Sequence, residues 1–158
     1  MKTIIRSATA TDADAICTLF YATAVDAAHS LYAQGKAEEL AMSYVNKNDG
    51  GLGPGNGHCF VAANADNEIV GCSSLQLTGK IDILCVHPKQ RQQGIATQLL
   101  ESLYGFADRM HLSTLTTASD LLTFSFFEKK GFMMQDSCSH EIAGIQLTTI
   151  TLAKRLWL

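Results

Sequence analysis

Residues 81–110 constrain the fold more than any other stretch. Ile81–Val86 is a short run, apolar except for Asp82, and it is stopped by Pro88. A run of that kind, bounded by a proline, reads as a strand. The polar segment Lys89–Gln93 and then Gly94 follow. Beyond them Ile95, Leu99, Leu103, Phe106 and Met110 step by 4, 4, 3 and 4 residues, so they share one face of an amphipathic helix. A strand that turns straight into a one-sided helix needs a sheet for that apolar stripe to cover.

The rest of the chain supplies the sheet. Thr3–Arg6 reads as a strand, and Thr11 as the cap of a helix in which Ile16, Leu19, Phe20 and Val25 lie near helical spacing. A second helix is expected over Lys36–Tyr44. Asn46–Gly57, with five glycines and Pro54, ends the helical pattern and is either an ordinary connector or a substrate lid. His58–Ala63 and Glu68–Leu77 form a hairpin about Ala65-Asp66-Asn67. Leu112–Thr117 reads as a strand, Ser119–Lys130 as a helix, and Phe132–Ile142 with Ile145–Leu152 as an antiparallel pair. The order β-α-α-β-β-β-α-β-α-β-β is that of an α/β (α+β) fold, a mixed sheet with helices packed on it. With no repeat and no linker, residues 1–158 read as one domain.

Composition removes several functions. A 47% hydrophobic chain is too apolar for disorder, and no apolar run approaches the roughly 20 residues of a membrane span. Twelve Lys+Arg against fifteen Asp+Glu, scattered and never more than two together, argue against nucleic acid. The first residues carry Lys2, Arg6, Asp12 and Asp14, which is no signal peptide. Five cysteines without a C-x-x-C pair, and histidines never three to five apart, give no metal-ligand spacing. The expectation is a metal-free cytoplasmic protein with reduced cysteines.

The start of the long helix is where chemistry enters. A helix N-terminus presents unpaired N–H groups and partial positive charge, which suits a phosphate. Gly94 and Ala96 let a ligand approach the backbone, and Arg91 stands ready to add a charge. The same residues also fit a plain packing turn. Neither G-x-G-x-x-G nor G-x-x-x-x-G-K is present here.

These residues resemble a family. Val86-His87-Pro88 followed by Arg91-Gln92-Gln93-Gly94-Ile95-Ala96 is similar to the acyl-CoA-binding motif of the GNAT superfamily of N-acyltransferases. Phe126-Phe127-Glu128-Lys129-Lys130-Gly131-Phe132 resembles that family's F-[YF]-E-K-x-G-F signature, and the element order matches over essentially the whole chain. Ile81-Asp82-Ile83-Leu84 and Phe-Phe-Glu are similar to a bacterial branch typified by YafP-like proteins.

The resemblance implies a mostly antiparallel sheet of six to seven strands flanked by about four helices. It implies acetyl-CoA as co-substrate, its pantetheine arm along Leu84, Cys85 and Val86 by strand addition. Its pyrophosphate would rest on the amides of Gln92, Gln93, Gly94, Ile95, Ala96 and Thr97, with Ser119 and Phe127 flanking the arm. The implied reaction is transfer of acetyl to a primary amine of a small molecule or peptide, by direct attack through a tetrahedral intermediate. The oxyanion would lie on main-chain N–H groups of the Leu84–Val86 strand. Monomer and homodimer are both compatible with it.

An amine with a pKa of about 10.4 needs about 4.6 kcal/mol to lose its proton at pH 7, so a base or water relay is expected. Asp82 is the candidate base, because a charge within an apolar strand needs a reason; an exposed strand-edge carboxylate is its other reading. His87 reads as a relay or as a surface turn histidine, and His29 lies in the helical region that the resemblance puts on the acceptor side. Phe127 stands where many GNAT enzymes carry the tyrosine that protonates the departing thiolate, and phenylalanine donates no proton. A thiol pKa of about 8.5 makes the thiolate a fair leaving group regardless. The alternative is a noncatalytic acyl-CoA-binding or sensing module.

Overall fold

The computed structural model of the protein describes residues 2–31, 57–121, 123–142 and 145–157. The expected helix Lys36–Tyr44, most of the glycine-rich 46–57 segment, Tyr32 and Tyr44 lie outside them. Seven strands form one sheet: β1 (Ile4–Ser7), β2 (Gly57–Ala63), β3 (Ile69–Gln76), β4 (Lys80–Val86), β5 (Thr114–Ser119), β6 (Met133–Ile142) and β7 (Ile145–Arg155). Their order is β1-β2-β3-β4-β5-β7-β6, with every pairing antiparallel except β4–β5. Three α-helices are described: α1 (Ala13–Leu31), α2 (Ile95–Arg109) and α3 (Phe124–Lys129). No described helix is long and apolar enough to cross a membrane.

The two long helices cover opposite faces of the sheet, as the alternation of inward residues requires. Ile16 and Leu19 of α1 pack on Val61, Cys72 and Ile83. Ile95, Leu99, Leu103 and Phe106 of α2 pack on Phe60, Ala62, Val70 and Leu75 of the other face, in a core that extends to Phe127, Phe132 and Leu152. Leu99 and Leu103 are fully buried, so truncating either to alanine costs about 2–5 kcal/mol.

Several boundaries differ from the sequence reading, β5 among them: expected over Leu112–Thr117, it runs Thr114–Ser119. The first helix is entered at Thr9, not capped by Thr11. Thr9 N–H donates to the Asp12 carboxylate at 2.8 Å, and Ala10–Asp12 is a 3-10 turn before α1. Asp12 also receives both Nη groups of Arg6 on β1, at 2.8 and 3.0 Å, which ties strand to helix. The helix expected from Ser119 starts only at Phe124. Ser119 is still pairing with Ile150, and Asp120 Oδ1 accepts from Thr123 N–H in an intervening turn. Finally, β7 runs on to Arg155 because β5 offers Thr114 as its partner there.

Candidate functional site

The site is built where β4 loses one neighbour. Lys80 and Ile81 pair in parallel with Thr116 and Thr117 of β5. From there β5 continues on β7 to Ser119, while β4 continues on β3 to Val86, opposite Gly71. Asp82–Val86 therefore have β3 along one edge and, among the described residues, no paired strand along the other. An open strand edge offers free N–H and C=O groups, the means by which an extended ligand joins a sheet.

Gly79 fixes where the two strands meet. Its φ is +95°, and Thr116 N–H donates to its carbonyl at 2.9 Å. A Cβ there would lie 2.4 Å from the Thr114 carbonyl oxygen, so only glycine lets the β3–β4 turn sit this close to β5.

The open edge leads into the turn before α2. His87 N–H donates to the Val70 carbonyl at 2.8 Å, the last link to β3, and Pro88–Gln90 then make a 3-10 turn. Lys89 N–H donates to His87 Nδ1 at 3.1 Å, so His87 caps this turn, in keeping with the turn-histidine reading. Gln92 and Gly94 both have left-handed backbone, φ +62° and +79°. Backbone of alternating hand makes a concavity of N–H groups that suits an anion. Gln98 N–H is bonded to the Gly94 carbonyl at 3.0 Å, and the amides of Ile95, Ala96 and Thr97 precede that helical bond. A Cβ on Gly94 would meet nothing within 4 Å, so the space before the turn is open. An extended chain ending in a phosphate group fits this combination of free edge and amide-lined turn.

The side chains are less uniform in their support. Arg91 was expected to point its charge at the phosphate; instead its Nη2 lies 2.9 Å from Asp26 Oδ2 of α1. Asp82, the first residue past the parallel pairing, receives Gln76 Nε2 on both carboxylate oxygens, at 2.9 and 2.7 Å. Lys80 Nζ is 4.0 Å from the same carboxylate. Leu84, Cys85 and Val86 are half-buried in β4. Ser119 is buried at the end of β5, and its Oγ has no hydrogen-bond partner.

Phe127 is 4% exposed and meets Phe126 and Phe132 edge-on, with ring centres 5.3 and 5.2 Å away. Its ring is thus part of the core, whatever it also flanks. Tyr104 accepts from Lys154 Nζ at 3.1 Å, and His29 lies on α1. Sequence reasoning missed Gly79, Gln76 and Asp26. The first had a turn signal, and the second faces Asp82 only once the hairpin register is known. Asp26 carried no signal at all.

Residues 27–154 match the family model of the acetyltransferase (GNAT) domain. A GCN5-related N-acetyltransferase from Rhodopseudomonas palustris superposes with a TM-score of 0.82 at 22% identity, over 99% of this chain and 97% of that one. The ribosomal-protein-S18-alanine N-acetyltransferase of Escherichia coli gives 0.73 at 15%, over 99% and 96%. The PaiA N-acetyltransferase of Thermoplasma acidophilum, solved in complex with coenzyme A, gives 0.71 at 15%, over 98% and 99%. The uncharacterized protein YdhI of Bacillus subtilis (strain 168) is 29% identical over 77 residues, 46% of this chain, and the match spans about half of that relative's length (48%). At these identities the structures establish the fold, while the family model covers most of the chain. The chain belongs to the GNAT family of acetyltransferases.

Proposed function

We propose that this protein moves an acetyl group from acetyl-CoA to a primary amine. The observation that supports it is the open edge of Asp82–Val86 running into the amide-lined turn at Gln92–Thr97. On this reading the main chain of Leu84, Cys85 and Val86 takes the pantetheine amides, and the amides of Gln92, Gln93, Gly94, Ile95, Ala96 and Thr97 take the pyrophosphate. Arg91 exchanges Asp26 for phosphate, and Ser119 and Phe127 flank the arm. The amine nitrogen attacks the thioester carbonyl carbon, forming the C–N bond of a tetrahedral intermediate; the C–S bond breaks as that intermediate collapses. The amine proton passes to Asp82 or through water, and CoA leaves as a thiolate. N–H groups of the β4 edge stabilise the charge on the carbonyl oxygen. The thiolate takes its proton from solvent, since Phe127 has none to give. The 158 residues act as one domain in the cytoplasm, as a monomer or homodimer.

Calorimetric titration of acetyl-CoA into wild type and Gly94→Glu tests the donor site, and equal affinity would remove it. Thiol release with a panel of small amines, polyamines, aminoglycosides and peptides tests turnover, which should collapse in Asp82→Asn. The burial of Phe127 among core aromatics favours one other reading, a noncatalytic acyl-CoA-binding or sensing module. Tight acetyl-CoA binding without release on any acceptor would support that module.

A further inference from the structure

We propose that Cys72 and Cys85 form a redox-active dithiol that low-molecular-weight disulfides convert to a cross-strand disulfide. The two residues are directly opposed in the β3–β4 register, and their sulfurs are 3.4 Å apart. Opposed residues of antiparallel strands have Cα atoms about 4.5–5.5 Å apart, within the range a disulfide spans. Bond formation needs the sulfurs to close by about 1.4 Å, a side-chain rotation and not a refolding.

The two thiols are unequal in a way that orders the chemistry. Cys85 is half-buried, whereas Cys72 is fully buried. The hydrogen bond between them holds Cys85 below the usual thiol range and Cys72 above it, and burial pushes Cys72 further up. The neighbouring Cys59 is raised to about 11, first by burial and then by the charges of Cys85 and Asp12, so it stays a thiol. Ile16, Leu19, Val61 and Ile83 surround Cys72, with Cys85 and Cys59 packed against the same cluster.

The Cys85 thiolate attacks one sulfur of the small disulfide, forming a mixed disulfide and expelling one small thiolate. Cys72 then attacks the Cys85 sulfur, forming the Cys72–Cys85 bond and expelling the second small thiolate. That thiolate takes up the Cys72 proton, and the proton already lost by Cys85 goes to the first. The pair loses two electrons and the reagent gains them, leaving two small thiols.

Cys85 is the middle residue of the three assigned above to the pantetheine arm. That consequence, unlike the disulfide itself, rests on the proposed function: the Cys85 side chain rotates and is tied to Cys72 beside the edge that receives the arm, and acetyl-CoA affinity falls at least threefold.

The test is to incubate the reduced full chain with excess oxidised glutathione and map its peptides without reduction. The expected product is a Cys72–Cys85 linked peptide, lighter by two hydrogens, with dithiothreitol restoring it. In Cys72→Ala, glutathione should accumulate on Cys85 instead, and in Cys85→Ala, Cys72 should stay reduced. Wild type carrying stable glutathione on Cys85, or with both thiols unmodified while exposed Cys17 and Cys138 react, would overturn the dithiol; this needs no variant to fold. Acetyl-CoA titration of the oxidised and reduced forms reads the consequence separately. Reduced protein that binds no acetyl-CoA counts against the donor site, while a mapped disulfide still sustains the dithiol.

Discussion

Arg91, at the mouth of the turn into α2, is held 2.9 Å from Asp26 on α1. The residue that would add charge to a phosphate is thereby occupied by a carboxylate, and a bound anion must compete for it. Both partners are well exposed, so the pair is worth about 0.2–1 kcal/mol. Asp26→Asn should therefore tighten acetyl-CoA by up to about fivefold, and the gain should shrink in high salt. Unchanged or weaker binding at low salt would show that Arg91 has no part in holding the donor.

Gly79 carries the contact between the β3–β4 turn and β5. Alanine there meets a carbonyl oxygen at 2.4 Å and a φ of +95°, so backbone must move. Gly79→Ala should lose about 2–4 kcal/mol in denaturant unfolding, with the β4–β5 parting displaced. Gly94→Ala meets open space and only left-handed strain, and should lose about 1–2 kcal/mol. A reversed ranking of the two variants would refute this account.

Phe127→Tyr would place a hydroxyl among Phe126, Phe132 and the α2 face of the core. An unpaired buried hydroxyl costs about 1–3 kcal/mol, and in the proposed reaction the thiolate leaves unaided. Thermal stability should fall while turnover on any accepted amine stays within about tenfold. A large rise in turnover would mean that protonation of the leaving group limits the native protein.

Acid should act through the Arg6–Asp12 pair. Arg6 first, and then the Thr9 amide, hold the Asp12 carboxylate well below the usual range. A depressed folded value contributes stability that is full above the unfolded value of about 3.9 and is lost as pH falls below it. Melting temperature should drop between about pH 4 and pH 2, and Asp12→Asn should flatten that limb while costing about 2 kcal/mol at neutral pH. An unchanged acid limb in the variant would remove Asp12 as its source.

Much of this was legible in the sequence because it is local. Ile95, Leu99, Leu103 and Phe106 announce α2 by spacing alone, and Asp66-Asn67 marks the β2–β3 turn. Ala118 and Ser119 extend β5 beyond the expected Thr117 because Thr151 and Ile150 of β7 lie beside them, a partner that helix periodicity cannot reveal. The site divides the same way. The motif around Gly94 is contiguous and was found. Asp26 against Arg91, and Gln76 against Asp82, are contacts between segments that only the folded topology brings together. The sequence places Arg91 before the turn but gives no sign of Asp26 as its neighbour.

The parting of β4 from β5 also bears on how such a protein can change over time. Its unused peptide groups belong to the backbone, so almost any substitution along Asp82–Val86 leaves their number and direction intact. What the parting does need is Gly79, whose turn sets where β4 meets β5. Chains sharing 15–22% of their residues with this one retain its fold at TM-scores of 0.71–0.82. An open edge of peptide groups can thus outlast the side chains around it, leaving those free to diverge.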